Sequence, residues 1–347
     1  MRPKSFPLLY LLFAGVYFLC FSFSAPAQNE SHGLVNWLSF KDAQEKNKIQ
    51  EKPFLIDVYT DWCGWCKHMM RTTYSNPNIA SYINTHFYAV KFDAEGKDTI
   101  EYNGKLYRPT SPAPKTPHEL ALKFLGTSLS YPSTVFITNQ FQYNLLSQGY
   151  LEDKKIEPLL VFMVENAWRT VPYDEFSQHF THTFYDTLYP KGIVKPISIT
   201  QLEQQQKKKA KKTLVLLNSG FCNTGKVMSK TTFNDTSIVN YVNSKYTFCE
   251  FDVTRSDSLR FKNKTYGPVL LNNFPIHSLA LQFTNNSFSL PSLCILDEEL
   301  NTIQVINFYL SPQALKPILF YFGTDSHKTK SYTDFLKEGD ASPKKPK

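Results

Sequence analysis

Apolar and polar positions along the chain fall into short blocks. Leu8 to Phe23 is almost wholly apolar. Beyond it, an amphipathic stretch from Trp37 to Lys48 predicts a helix that stops before Pro53. Phe54 to Tyr59 is a short apolar run and predicts a buried strand. A turn with two cysteines follows, then a helix from about Cys63, a second helix around Asn78 to Thr85 and a strand from Phe87 to Phe92. Ile100 to Arg108 alternates about Asn103-Gly104, which predicts a hairpin with a type I′ turn. Pro112, Pro114 and Pro117 lead into a helix from His118 to Leu125. Val135 to Thr138 reads as a strand, Tyr143 to Gly149 as its hairpin partner and Ile156 to Ala167 as a closing helix. Strands alternating with helices, then a hairpin and a helix, predict a layered α/β domain.

The same pattern recurs 159 residues later. The 40 residues from Phe54 and the 40 from Thr213 align without a gap, and 11 positions are identical. They include Cys63/Cys222, Lys67/Lys226, Met69/Met228, Tyr82/Tyr241 and Asp93/Asp252. The offset still holds at His118/His277, Pro132/Pro291 and Tyr150-Leu151/Tyr309-Leu310. A gapless register this long predicts two tandem units of one fold. Pro172, Pro190, Gly192 and Pro196 punctuate the boundary. The expected organisation is one domain over 30–170, a second over 190–323, and a disordered lysine-rich tail over 324–347.

The apolar N-terminal run is flanked by Arg2 and Lys4 on one side and Ala25-Pro26-Ala27 on the other. That is the layout of a secretory signal over residues 1–27, and it predicts export, to the periplasm in a bacterium. The rival is an uncleaved anchor, for which the run is slightly short. No later stretch is long enough to span a membrane. The chain has 347 residues, 42% of them hydrophobic, and a formal charge of +8. The excess charge sits in the signal, in the run 201–212 (QLEQQQKKKAKK) and in the tail. Nucleic-acid binding needs basic residues on a folded, aromatic-bearing face, so these runs read as solvated lysines and no nucleic-acid partner is expected.

Six cysteines are encoded, and Cys20 leaves with the signal. Cys63, Cys66, Cys222, Cys249 and Cys294 remain, an odd number, so at least one is unpaired within the chain. Cys249 and Cys294 fall on predicted strands and read as buried core thiols. Cys63 and Cys66 lie between a strand and a helix, in WCGWCK. At a helix N-terminus the free N–H groups and the helix dipole stabilise a thiolate, so Cys63 reads as the nucleophile and Cys66 as the resolving thiol. Rival chemistries fit less well. Haem attachment through C-x-x-C-K does not suit a strand–turn–helix setting, and zinc needs a second ligand pair that the chain lacks. A merely structural Cys63–Cys66 disulfide is the main rival.

DVYTDWCGWCK resembles the active-site segment of the thioredoxin superfamily, and is similar to the exported thioredoxin-like domains related to the C-terminal domain of DsbD. The resemblance covers residues ~35–165 and, in degenerate form, ~193–322. It implies a central mixed sheet flanked by helices. It also implies that Asp57, six residues before Cys63, takes the Cys66 proton, with Lys91 tuning it. Pro132 matches the family's cis-proline facing the disulfide, so Trp62, Gly64, Trp65, Tyr131 and Pro132 are expected to form the substrate surface. Two features depart from the family pattern. Gly64-Trp65 separates the cysteines, and residues 96–116 are longer than the fold requires and read as an insertion that shapes substrate choice or, the favoured reading, covers a sheet edge.

The second unit has lost this set. Gly225 stands for Cys66, Leu216 for Asp57, Glu250 for Lys91 and Phe221 for Trp62, while Cys222 and Pro291 remain. Cys222 is left with three readings: part of a binding partner domain, a monothiol that forms mixed disulfides, or a relic. GFCNTGK imitates a P-loop, but Val227 stands where a magnesium-binding hydroxyl is needed. The sequence predicts an exported thiol–disulfide oxidoreductase of reductase or interchange type. It would act on protein thiols and disulfides through Cys63–Cys66, with no bound cofactor or metal and an unidentified electron donor. The alternative is a binding or chaperone module that uses the cleft between the two domains.

Overall fold

The computed structural model describes residues 33–186 and 194–339. The proposed signal lies outside them. In the first unit the chain runs α1 (Phe40–Ile49), β1 (Phe54–Tyr59), α2 (Gly64–Arg71), α3 (Pro77–His86), β2 (Tyr88–Asp93), β3 (Ile100–Tyr102) and β4 (Lys105–Tyr107). It continues with α4 (Glu119–Leu125), β5 (Ser133–Ile137), β6 (Asn144–Gln148), α5 (Asp153–Val164) and α6 (Tyr173–Phe184). The second unit repeats the order: α7 (Ile199–Lys208), β7 (Lys212–Asn218), α8 (Asn223–Lys230), α9 (Thr236–Lys245), β8 (Tyr246–Asp252), β9 (Leu259–Phe261) and β10 (Lys264–Tyr266). A hairpin then intervenes, β11 (Pro268–Leu271) and β12 (Phe274–His277), before α10 (Ser278–Phe283), β13 (Ser292–Leu296), β14 (Thr302–Ile306), α11 (Pro312–Gly323) and α12 (Tyr332–Lys337).

Each unit holds a four-stranded mixed sheet of thioredoxin-like type, β2-β1-β5-β6 and β8-β7-β13-β14. β1 runs parallel to β2 and antiparallel to β5. β1 is buried on both faces because a helical layer covers each. One face packs on α1 and α4 through Phe40, Ile56, Val90, Phe92 and Leu120. The other faces a larger core that runs on into the second unit, through Phe136, Phe162, Phe176, Tyr309, Val227 and Met228. Cys249 and Cys294 both register against Val215 from opposite sides of β7. They are therefore two strand spacings apart, roughly 9–10 Å, and are buried and free.

Two expectations need correcting. Residues 324–347 were expected to be a disordered tail, but residues 326–337 fold into a 3-10 turn and α12. Phe335 is buried there, with its ring 5.2 Å from that of Tyr321. Likewise the proline-punctuated boundary holds α6, whose Phe176 is buried. Tyr173/Tyr332 and Phe176/Phe335 keep the 159-residue offset, so the shared pattern reaches one helix further than the sequence reading took it. The insertion forms a hairpin of its own: among the described residues β3 and β4 pair only with each other and add no strand to the sheet. They turn Tyr102 and Tyr107 inward against the sheet face, where Tyr102 meets Phe40 and Phe124. The turn itself is as expected, with Asn103 and Gly104 at φ 48° and 73°.

The lysine run is also not wholly solvated. Its first part is α7, anchored by buried Ile199 and Leu202. Lys212 is buried, and its Nζ sits 2.9 Å from Glu298 and 2.7 Å from Asp325.

Candidate functional site

Cys63 is the N-cap of α2, reached from β1 through the turn Thr60-Asp61-Trp62. Its N–H donates to the Thr60 carbonyl at 3.1 Å, and its carbonyl accepts from Lys67 at 3.3 Å. Cys63 and Cys66 form a disulfide with Cα atoms 5.3 Å apart. The Cys66 N–H also donates to the Cys63 sulfur at 3.0 Å. A cap sulfur that receives a helix N–H is where the helix terminus stabilises negative charge, so reduction there favours a Cys63 thiolate. Gly64 leaves the surface above the bridge bare, because a Cβ there would meet nothing within 4 Å.

Asp57 lies on the central strand that leads into this turn, in register with Lys91 on β2 and Thr134 on β5. Burial pushes its carboxyl up to about 7, against the Lys91 charge and a hydrogen bond from Tyr74, which pull it down. The Tyr74 hydroxyl donates to Oδ1 at 3.4 Å, and Oδ2 has no hydrogen-bond partner among the described residues. Such an orphaned buried oxygen is costly in a fold and leaves a site free to take a proton. The Lys91 ammonium lies 4.5 Å from the centre of the Tyr59 ring.

An aromatic rim surrounds the disulfide. Trp62 and Trp65 are both exposed. The Trp62 indole N–H donates to both carboxylate oxygens of Glu95 at 3.1 Å, and its ring meets Tyr131 edge-on at 6.0 Å. Trp65 packs against His68 and Tyr150, 5.5 and 5.7 Å away. The Tyr131–Pro132 peptide is cis, as is Leu290–Pro291 in the second unit. The Pro132 carbonyl is taken by the Gly149 N–H at 2.8 Å. Trp62 thus meets Tyr131, which precedes the cis Pro132, while Trp65 meets His68 and Tyr150. Asp57 and Lys91 sit together within the sheet.

Sequence reasoning missed Tyr74, Glu95 and Tyr150. The second unit holds a signal for the first two. Phe233 replaces Tyr74 where Leu216 replaces Asp57, and Thr254 replaces Glu95 where Phe221 replaces Trp62. The hydroxyl and the carboxylate disappear together with the groups they hold.

Cys222 caps α8 as Cys63 caps α2, and the two are equally hidden, each 4% exposed. What differs is a carboxylate from the first unit. Glu165, just past α5, accepts from the N–H groups of Asn223 at 3.0 Å and Thr224 at 2.7 Å, and from the Thr224 hydroxyl at 2.5 Å. The Cys222 thiol points at the same carboxylate, 3.7 Å away. Burial and that negative charge push the Cys222 thiol up to about 12. The resolving position is filled as well. A Cβ on Gly225 would meet Asn218 Oδ1 at 2.2 Å and the Cys222 sulfur at 3.1 Å. The two buried histidines are structural. His118 and His277 each accept the N–H two residues on and bond a backbone carbonyl through Nε2.

Comparison with known proteins matches residues 19–170 to the family Thioredox_DsbH, described as a protein of unknown function, DUF255. That match takes in less than half of the chain and falls on the first unit, whose fold is of thioredoxin-like type. Among solved structures it is similar to a DsbH oxidoreductase, at 19% identity over 36% of this chain and 79% of that one, with a TM-score of 0.25. A putative disulphide-isomerase from Bacteroides thetaiotaomicron is 23% identical over 35% of this chain and 86% of that one, with a TM-score of 0.24. A curated relative, an uncharacterized protein of Caenorhabditis elegans, is 30% identical over 74 residues. That match spans 21% of this chain and about a tenth of the relative's length. Among the described residues no helix is long and apolar enough to cross a membrane, and no cluster of three or more metal-ligating side chains occurs.

Proposed function

We propose that this chain is an exported thiol–disulfide oxidoreductase of the reductase or interchange type, and that only its first unit performs the chemistry. In the proposed cycle the Cys63 thiolate attacks a disulfide of a client protein and forms a mixed disulfide, releasing one client thiolate. The Cys66 thiolate then attacks the Cys63 sulfur, which reforms Cys63–Cys66 and frees the second client thiol. The client gains two electrons and the protein loses two, so a dithiol donor must reduce it again. Asp57 would take the Cys66 proton. With its carboxyl near 7 it is poised to do so at neutral pH.

The observation that carries this reading is the buried Asp57, with an unpartnered oxygen, on the strand that leads into a helix-capping Cys63–Cys66 pair. A structural disulfide would gain nothing from a costly carboxylate on that strand. The fast deprotonation that Asp57 offers favours reductive release over strong oxidation. A periplasmic site of action rests on the signal-like residues 1–27. The alternative of client binding between the units has less support. The pocket there, beside Tyr82, Phe180 and Asn223, is about 370 Å³ and suits a small ligand rather than a polypeptide. The test is the reduction potential of the Cys63–Cys66 couple, by equilibration with glutathione. A value near about −270 mV is expected of a reductase, and one near about −120 mV would make the protein an oxidant instead.

A further inference from the structure

Residues 109–118 and 268–277 correspond at the 159-residue offset, but they differ in kind. In the first unit PTSPAPKTPH is a polar loop. Lys97 Nζ pins it through the carbonyls of Ser111 at 3.3 Å and Ala113 at 2.7 Å and the Thr116 hydroxyl at 3.2 Å. In the second unit PVLLNNFPIH is the hairpin β11–β12, closed by Asn272-Asn273 at φ 49° and 65°. The I′ turn needs both residues left-handed, which Asn tolerates. The hairpin carries no Lys, Arg, Asp or Glu. Leu270 is 74% exposed, Phe274 42% and Val269 38%. Phe221, 52% exposed, meets the Phe274 ring edge-on at 5.0 Å and joins the patch to the Cys222 turn. The two strands pair only with each other among the described residues, so their outer edges are open to an added strand.

We propose that this hairpin docks an extended, apolar segment of the client polypeptide whose disulfide the first unit reduces; this rests on the reductase reading above. Three observations choose that occupant. The patch is apolar and uncharged, so it suits side chains that a folded client would hide. Its four side chains expose on the order of 300–400 Å². A stable dimer needs about 800 Å² from each partner, so a second copy of this chain is a poor fit and a short segment a good one. The patch also adjoins the turn that matches Trp62 and Cys63 in the first unit. The second unit has therefore lost its resolving thiol and proton acceptor while gaining apolar surface at the mouth of the same turn.

The test uses the full-length protein and its Leu270→Asp/Phe274→Ser variant. The probe for binding is α-lactalbumin kept unfolded by reduction and carboxymethylation, which offers no thiol or disulfide. The wild type and a Cys63→Ser/Cys66→Ser variant are expected to bind it equally, and the hairpin variant at least tenfold more weakly. With insulin as substrate the hairpin variant is expected to raise KM several-fold with kcat unchanged, and to reduce glutathione disulfide at the wild-type rate. Leu270→Asp alone, at a side chain three-quarters exposed, serves if the double variant does not fold. Unchanged lactalbumin binding in these variants overturns the proposal. So does a wild-type dimer in sedimentation that the hairpin variant abolishes, since the occupant is then a second copy. If the wild type reduces neither insulin nor glutathione disulfide, the reductase reading fails, and lactalbumin binding still decides the docking site.

Discussion

The carboxylate of Glu165 lies 2.7 Å from the backbone N–H of Thr224, across the boundary between the two units. The helix N-terminus that could activate Cys222 is thus already occupied by a carboxylate from the neighbouring unit. The electrostatic feature proposed to serve thiolate chemistry in one unit serves as a joint in the other.

Removing that joint has a predictable cost. Glu165→Ala leaves the N–H groups of Asn223 and Thr224 without their partner. The variant is expected to lose about 1–3 kcal/mol in urea unfolding. Glu165→Gln, which keeps an acceptor oxygen but no charge, should lose less. An unchanged midpoint in Glu165→Ala means that the contact does not hold the units together.

Asp57 makes stability depend on pH in a direction opposite to that of most carboxylates. Its folded value, about 7, lies above the ordinary 3.8. Below about pH 4 the carboxyl is neutral whether the chain is folded or not, and burial costs nothing. Between about 4 and 7 the unfolded chain releases the proton and the folded chain keeps it, so stability falls as pH rises. Above 7 the penalty is constant, with a ceiling of about 4 kcal/mol. The oxidised Asp57→Asn variant is therefore expected to gain over wild type progressively from pH 4 to pH 7 and then level off. A gain independent of pH removes the basis for Asp57 as a tuned proton acceptor.

Thiol reactivity should divide the cysteines. Burial pushes Cys222, Cys249 and Cys294 each up to about 12. After brief reduction at pH 8, iodoacetamide is expected to label Cys63 quickly, with these three labelled only after denaturation. Peptide mapping by mass spectrometry gives the order. Fast labelling of Cys222 in the native protein would restore its reading as a working monothiol.

Much of this was legible in the sequence for physical reasons. β1 is apolar but for Asp57 because both of its faces are covered, and Asn103-Gly104 marks a turn that few other residues can make. The dithiol is legible because its position between strand and helix is local. The rest depends on contacts across the chain. α6 is anchored by buried Phe176 and Phe180 and the six-residue α12 by buried Phe335 alone, contacts that no local pattern singles out. Glu165 lies 59 residues from Thr224, and its role exists only once both units are packed. Trp62 and Glu95 are 33 residues apart on separate turns, and the indole bond that joins them follows from the fold.

The central claim is that the two-electron chemistry resides in the first unit alone. Insulin reduction driven by dithiothreitol, measured for wild type, Cys63→Ser and Cys222→Ser, tests it most directly. Cys63→Ser is expected to fall to the uncatalysed rate and Cys222→Ser to match wild type. Retained activity in Cys63→Ser, or its loss in Cys222→Ser, contradicts it.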